Sequence, residues 1–271
     1  SFLPPGSHSS GLVTARPTAL AVVLTARPAL PSALFSRAES AFRCASAAFG
    51  CGTCRTVCPV FEEAGWESAN TRGRMMIIKE LCSGRLEADQ GVKDSLNTCT
   101  TCGLCTENCP AGIFPPDIIE RARGMLVALG LTTSELEDLD RKILNSGNTF
   151  GEKTDRLCWL PDRSLIREKA DYVYFVGCMN SYRYHETARR TFSILSQFGA
   201  TLLPREQCCG SPLLRTGFDA RKVIDENSRQ IKRIGARTVI TCCAGCYTTL
   251  KNSYGNQFQV LSVPAFLASH I

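Results

Sequence analysis

Histidine is nearly missing from this 271-residue chain, which has only His8, His185 and His270. That scarcity speaks against zinc knuckles, which usually recruit imidazole beside paired thiolates. Long apolar runs are missing too. The longest candidate, Ala19 to Leu24, has six residues, against the ~18 that a membrane-spanning helix requires, so a soluble protein is expected. Excess charge is small: 31 basic against 25 acidic residues give +6, and half of that comes from Arg16, Arg27 and Arg37 in residues 1–38, which hold no acid. The remainder carries 28 basic against 25 acidic residues, too even a balance to expect nucleic-acid binding by counterion release. No G-x-G-x-x-G follows a strand and no Walker motif is present, so nothing points to a dinucleotide or a nucleoside triphosphate.

Cysteine, by contrast, is abundant. Its sixteen residues are about 6% of the chain, below the roughly 8–10% of small disulfide-stapled secreted proteins, and clustered thiolates fit a reducing cytoplasm better than export. At roughly 150 residues per domain the length suits two domains.

Residues 1–48, rich in Ala, Pro, Ser and Leu, show no clean period and read as a disordered or non-native leader, with a transit peptide as the alternative. Residues 49–145 alternate cysteine clusters with helical segments such as Thr71 to Leu81 and Asp117 to Leu129, whose apolar residues recur every three or four positions. Ser134 with Glu137 predicts a capping box opening a further helix. Residues 146–168, with Gly147, Gly151 and Pro161, read as a linker. From 169 to 271 the rhythm changes: strands at Tyr172–Val176, Thr201–Leu203, Thr238–Ile240 and Phe258–Leu261 alternate with helices near Tyr184–Phe198, Asp219–Ile234 and from Tyr247. That alternation predicts a doubly wound parallel α/β sheet. The cysteines of this half fall at the carboxyl ends of its strands, where open α/β sheets place their chemistry.

The sharpest motif is CTTCGLCTENCP, with Cys99, Cys102, Cys105 and Cys109 at x2, x2 and x3 spacing ahead of Pro110. This is the ligand run of bacterial two-cluster ferredoxins, whose fourth cysteine serves the other cluster. CGTCRTVCP repeats the register with Cys51, Cys54 and Cys58. One cluster is then expected on Cys99, Cys102, Cys105 and Cys58, and the other on Cys51, Cys54, Cys109 and a cysteine at position 48. That position is Ala48. Cys44 or Cys82 could complete the second set, a three-iron cluster could need no fourth thiolate, or the native upstream sequence is absent. In the second domain Cys178, the pair Cys208-Cys209 before Gly210, and Cys243 with Cys246 converge from three strand-end loops. Adjacent cysteines suit an open or split cluster better than an ordinary cube. Cys242, Cys82 and Cys158 are expected to pack beneath their loops as small hydrophobes.

Here a family resemblance becomes specific. FVGCMNSYRYHETA, EQCCGSPLLRTG and VITCCAGCYTTLKNSYG resemble the CCG (cysteine-rich) domain of heterodisulfide reductase-type iron–sulfur proteins, and CGTCRTVCPVFEEAGWESANTRGRM resembles their ferredoxin half. The likeness covers about residues 50–271. It implies an α-helical ferredoxin domain with two 4Fe-4S clusters, then a CCG domain whose non-cubane 4Fe-4S cluster, on Cys178, Cys208, Cys209, Cys243 and Cys246, cleaves disulfides. Ala48 departs from the pattern, and only one CCG copy is present where many relatives have two. The resemblance implies a cytoplasmic oxidoreductase subunit whose partners are a flavoprotein or membrane cytochrome and a disulfide or thiol substrate. Its alternatives are a non-catalytic relay subunit, as in glycolate or lactate oxidase complexes, and a zinc-stabilised interaction module. His185 is a candidate proton donor or an exposed helical residue, Arg215 a candidate for orienting an anion or a salt-bridging residue. The run Arg229, Lys232, Arg233 reads as a solvated helix face, and Trp66 and Trp159 as packing residues.

Overall fold

The computed structural model describes residues 51–270; the leader, Cys44 and Ala48 lie outside the described residues. Its first part is helical: α1 (Pro59–Ala64), α2 (Thr71–Cys82), α3 (Gln90–Asn97), α4 (Leu104–Glu107), α5 (Pro115–Ala128) and α6 (Ser134–Ser146). Met75 and Ile78 of α2, Val92 and Leu96 of α3, and Ile119, Ala122 and Leu126 of α5 close one apolar core. Cys82, Cys99 and Cys109 pack against its edge. The Asn70 and Asp89 side chains cap α2 and α3 by accepting from Gly73 and Val92 amides. The cap of α6 is Thr133, whose hydroxyl accepts from the Leu136 amide, one residue ahead of the expected Ser134.

The second part is a four-stranded parallel sheet ordered β2-β1-β3-β4, with β1 Tyr172–Tyr174, β2 Thr201–Leu202, β3 Thr238–Thr241 and β4 Gln259–Ser262. The helices between and after them are α7 (Cys178–Tyr182), α8 (His185–Gln197), α9 (Ser211–Thr216), α10 (Arg221–Ile234), α11 (Ala244–Ser253) and α12 (Val263–Ala268). Alternate residues leave the sheet on opposite faces. Val173, Phe175 and Val239 pack with Ile143, Val223, Ile231 and Leu250 on one side, while Tyr174, Val176 and Ile240 pack with Phe192, Leu195 and Phe266 on the other. The expected doubly wound parallel sheet is therefore present, after a helical domain.

Residues 146–168 are not a free tether. Leu157, Trp159 and Leu160 are buried with Tyr174 and Val176 on one face of the sheet, and Ile143 of α6 is buried with Val173 and Phe175 on the other. Trp159 is a packing residue as expected, whereas Trp66 is 68% exposed.

The two domains meet along α5 and α9. Arg123, 5% exposed, sends its guanidinium to the carbonyls of Leu96, Asn97 and Cys99 on one side and of Arg215 on the other. Gly217, at the α9 C-terminus with φ +90°, lies so close to α5 that an added Cβ would stand 2.5 Å from Arg123 C and Gly124 N. A left-handed conformation costs a non-glycine residue ~1–3 kcal/mol. Gly217→Ala should therefore lower the thermal unfolding midpoint more than Gly235→Ala, whose φ is +82° but whose Cβ meets nothing. Equal losses in calorimetry would mean that the seam yields at no cost.

Candidate iron–sulfur sites

The loop between α3 and α4 and the turn before α1 face each other across a pocket lined by Cys58, Cys99, Cys102 and Cys105. These are the four thiols that the ferredoxin register assigns to one cluster. Arg74 of α2 also lines it and is fully buried, with Nε donating to Ser95 O at 2.7 Å and Nη2 to Thr98 Oγ1 at 2.9 Å. Its Nη1 has no partner. A buried cation with an unspent donor needs an anion beside it, and a cluster held by four thiolates is one. The residues present thus fit a 4Fe-4S group there.

The second set is less complete. Cys51 is exposed and accepts from Thr53 Oγ1 at 3.5 Å, and hydrogen bonds from Thr53 hold its thiol below the usual range. Cys54 is pushed up by burial, with Cys105 and Cys51 close enough to raise it further. Cys109 stands outside the pocket, against the helical core. Among the described residues, no three His, Cys, Asp or Glu side chains are placed to share a single metal ion. A mononuclear zinc site needs such a group at ~2.3 Å bond lengths; a cluster instead spreads its thiolates around its corners.

In the CCG domain five sulfurs form one hydrogen-bonded string, Cys178 to Cys208 to Cys209 to Cys246 to Cys243. Cys178 opens α7 directly after β1. Cys208 and Cys209 precede α9, and Cys243 and Cys246 bracket the start of α11. Gly177, φ +78°, lets the Cys178 turn approach: a Cβ there would stand 3.1 Å from Cys246 Sγ. All but Cys243 are buried. Proton affinity is uneven along the string, raised at Cys178, Cys208 and Cys246 and lowered at Cys209 and Cys243. Cys178 is raised by its bond with Cys208 and by burial. Cys208 is drawn down by its bond with Cys178 but pushed up to about 12 by its bond with Cys209 and by burial. Cys209 is held well below the usual thiol range by bonds from Cys208 and Cys246, and Cys246 is raised by its bonds with Cys209 and Cys243. Cys243 falls to about 5, chiefly through its bond with Cys246, with backbone amides and Arg215 assisting. Thiolate is the metal-binding form, and Cys209 and Cys243 are the two sulfurs of the set held toward it.

Residues outside the cysteine motifs complete the site. Arg156 and Glu206, 8% and 4% exposed, pair at 2.8 Å, and Arg156 Nη2 lies 3.5 Å from Cys178 Sγ. Glu206 also accepts from the Val176 and Gly177 amides at 2.7 and 2.9 Å. Arg156 sits among the turn residues read as linker, where no periodicity could mark it. Cys242 does not pack beneath its loop: it is exposed, and its sulfur meets Asn180 Nδ2 at 2.9 Å and Tyr174 Oη at 3.2 Å. Buried Tyr174 and half-buried Asn180 tether its sulfur at the strand end, while the residue itself stays exposed. Cys158 is likewise exposed, 3.9 Å from Nε2 of His185, the first residue of α8; only Cys82 is half-buried as expected. Arg215 is half-buried in α9, its charge acting on Glu120 and Cys243. Arg229, Lys232 and Arg233 are exposed, and Arg229 pairs with Glu226 at 2.8 Å.

Two families of known proteins match parts of the chain. Residues 41–113 match the 4Fe-4S dicluster domain family, a span that takes in Cys44 and Ala48, and residues 172–251 match the cysteine-rich CCG family. An iron–sulfur relative, one of the subunits of the dihydromethanophenazine:CoB–CoM heterodisulfide reductase of Methanosarcina barkeri, is 31% identical over 255 residues, 82% of this chain and 62% of the relative. The chain joins a 4Fe-4S dicluster domain to a cysteine-rich CCG domain. This iron–sulfur protein is also similar to one of the subunits of the fumarate reductase (CoM/CoB) of Methanothermobacter marburgensis, with 34% identity over 82% of this chain and 46% of the relative. A probable glycolate oxidase iron-sulfur subunit of Bacillus subtilis is 22% identical over 72% of the chain and 56% of the relative. The chain spans about three fifths of the length of the heterodisulfide reductase relative that it matches. No solved structure matches it.

Among the five CCG thiols of metal-free protein, Cys243 is expected to alkylate fastest at pH 6 to 7, because its thiolate persists down to about pH 5, while Cys178, Cys208 and Cys246 stay protonated and Cys209, though held low, is buried. Mass-spectrometric mapping of iodoacetamide adducts checks this; first labelling at Cys246 would refute the order of the string.

Proposed function

We propose that the chain is an electron-carrying oxidoreductase subunit. Cys58, Cys99, Cys102 and Cys105 hold one ferredoxin-type 4Fe-4S cluster, and Cys51, Cys54 and Cys109 contribute to a second. Cys178, Cys208, Cys209, Cys243 and Cys246 hold a non-cubane 4Fe-4S cluster at which a disulfide is reduced. The observation that carries this reading is the string of five sulfurs from three strand-end loops, joined in one protein to a four-thiol pocket with an unspent buried donor. Such groups, when bound, supply one-electron chemistry. Reducing a disulfide takes two electrons and two protons and yields two thiols.

The protein's part is to shape access and charge. Cys243 is the least buried of the five sulfurs, so a substrate sulfur approaches on its side, where Arg215 adds a positive charge. Other redox subunits, a flavoprotein or a membrane cytochrome, are the partners this role requires. Among the described residues no helix is long and apolar enough to cross a membrane, and membrane association falls to such a partner. The burial of the other four sulfurs favours a second reading, in which the CCG centre only relays electrons, and the similarity to a probable glycolate oxidase iron-sulfur protein supports it.

Iron and acid-labile sulfide per chain, measured on anaerobic protein together with electron paramagnetic resonance, test both. About 12 irons, from three clusters of four, with a CCG-centre signal altered by a disulfide or thiol, is the expected result. About 12 irons with a CCG-centre signal indifferent to disulfide and thiol would favour the relay, about 8 irons with ferredoxin-type signals alone would mean an empty CCG site and overturn disulfide reduction there, and zinc in place of iron would overturn both readings.

A further inference from the structure

Arg156 lies 16 residues before the start of the CCG family match at residue 172, yet its guanidinium touches the first cysteine of the CCG set. We propose that Arg156, locked in place by Glu206, is a positioning residue of the CCG site: it donates to Cys178 Sγ and raises the reduction potential of the group that the five thiols hold. This rests on reading those thiols as an iron–sulfur site.

The geometry leaves the arginine no other task of similar weight. Nε and Nη2 reach Glu206 at 3.0 and 2.8 Å, Nη1 reaches Gly147 O at 3.2 Å, the Tyr182 ring lies 5.6 Å from Cζ, and the remaining Nη2 contact is Cys178 Sγ at 3.5 Å. Glu206 is spent as well, closing the turn ahead of Cys178 through the Val176 and Gly177 amides. Three segments are thereby tied together: the connector, the Cys178 turn and the Cys208-Cys209 loop, whose Cys208 amide also donates to Gly147 O. Buried ion pairs add little net stability, since apolar replacements of similar volume are often as stable. Hydrogen bonds to ligand sulfurs, in contrast, are a principal means by which a protein sets the potential of an iron–sulfur centre. Adding an electron adds negative charge, which a fixed guanidinium at the ligand sulfur favours and its carboxylate partner opposes.

The two halves of the pair therefore make opposite predictions. In redox titrations of the full chain followed by electron paramagnetic resonance, Arg156→Met should shift the CCG midpoint to lower potential and Glu206→Gln to higher. Arg156→Lys, which keeps the charge without the planar fork, should fall between wild type and Arg156→Met. The ferredoxin-type signals should not move. If Arg156→Met fails to retain CCG iron, Arg156→Lys and Glu206→Gln still give the sign. Shifts of both variants in one direction, or none with iron retained, would leave the pair a packing element and overturn the proposal. Wild-type chain without CCG iron would instead overturn the reading on which it rests.

Discussion

A cation placed beyond the reach of water must find its negative partner inside the protein, and three arginines meet that demand at the three joints of this molecule. Arg156 does so with a carboxylate, at the loops that gather the CCG thiols. Arg123 has no carboxylate in its hydrogen-bonding shell and spends its donors on four backbone carbonyls, including the last turn of α3, where helix carbonyls lack partners of their own. Arg74 is served by Ser95 and Thr98, keeps one nitrogen without a partner, and lines the pocket of four thiols. At all three a cysteine is close: Cys178 beside Arg156, the pocket cysteines beside Arg74, and Cys99 near enough to Arg123 for its charge to be felt.

The α/β half shows how such surroundings are made. A parallel sheet sends all its strand ends to one edge, so loops far apart in sequence converge there without long connections. Cys178, Cys208-Cys209 and Cys243 follow β1, β2 and β3 in this way, at the carboxyl edge of three neighbouring strands. Burial on both faces holds that edge rigid: Val173 and Phe175 anchor one side of β1 and its continuation, Tyr174 and Val176 the other. The helices α7, α9 and α11 then begin at or just after the thiols.

Much of this was legible in the sequence, for identifiable reasons. Cysteine spacing is set by how tightly a loop can wrap a cluster, so CTTCGLCTENCP announced the pocket at Cys99, Cys102 and Cys105. The four strands were readable because they are short apolar runs between helical periods. What escaped notice lacked any period. Helices of five and six residues, such as Cys178–Tyr182 and Ser211–Thr216, are too short to show a 3.6-residue repeat. Arg156 and Glu206 are single charged residues in turn-rich stretches, and their pairing depends on a separation of 50 positions. Cys242 and Trp66 were misplaced because residue type gives a preference for burial, while local position decides it: one is exposed at a strand end with its sulfur tethered by Asn180 and Tyr174, and the other stands on the surface ahead of a single turn of helix. The α6 cap moved by one residue because Thr133 and Ser134 are both competent caps and backbone geometry chooses between them.

The seam at Gly217 has a further consequence. Because α5 and the end of α9 touch backbone to backbone there, with Arg123 clamped across them, the helical domain cannot swing on a tether as a mobile carrier arm does. α9 begins two residues after Cys209, so the contact that holds the far end of α9 also sets where the Cys208-Cys209 loop stands relative to the helical domain.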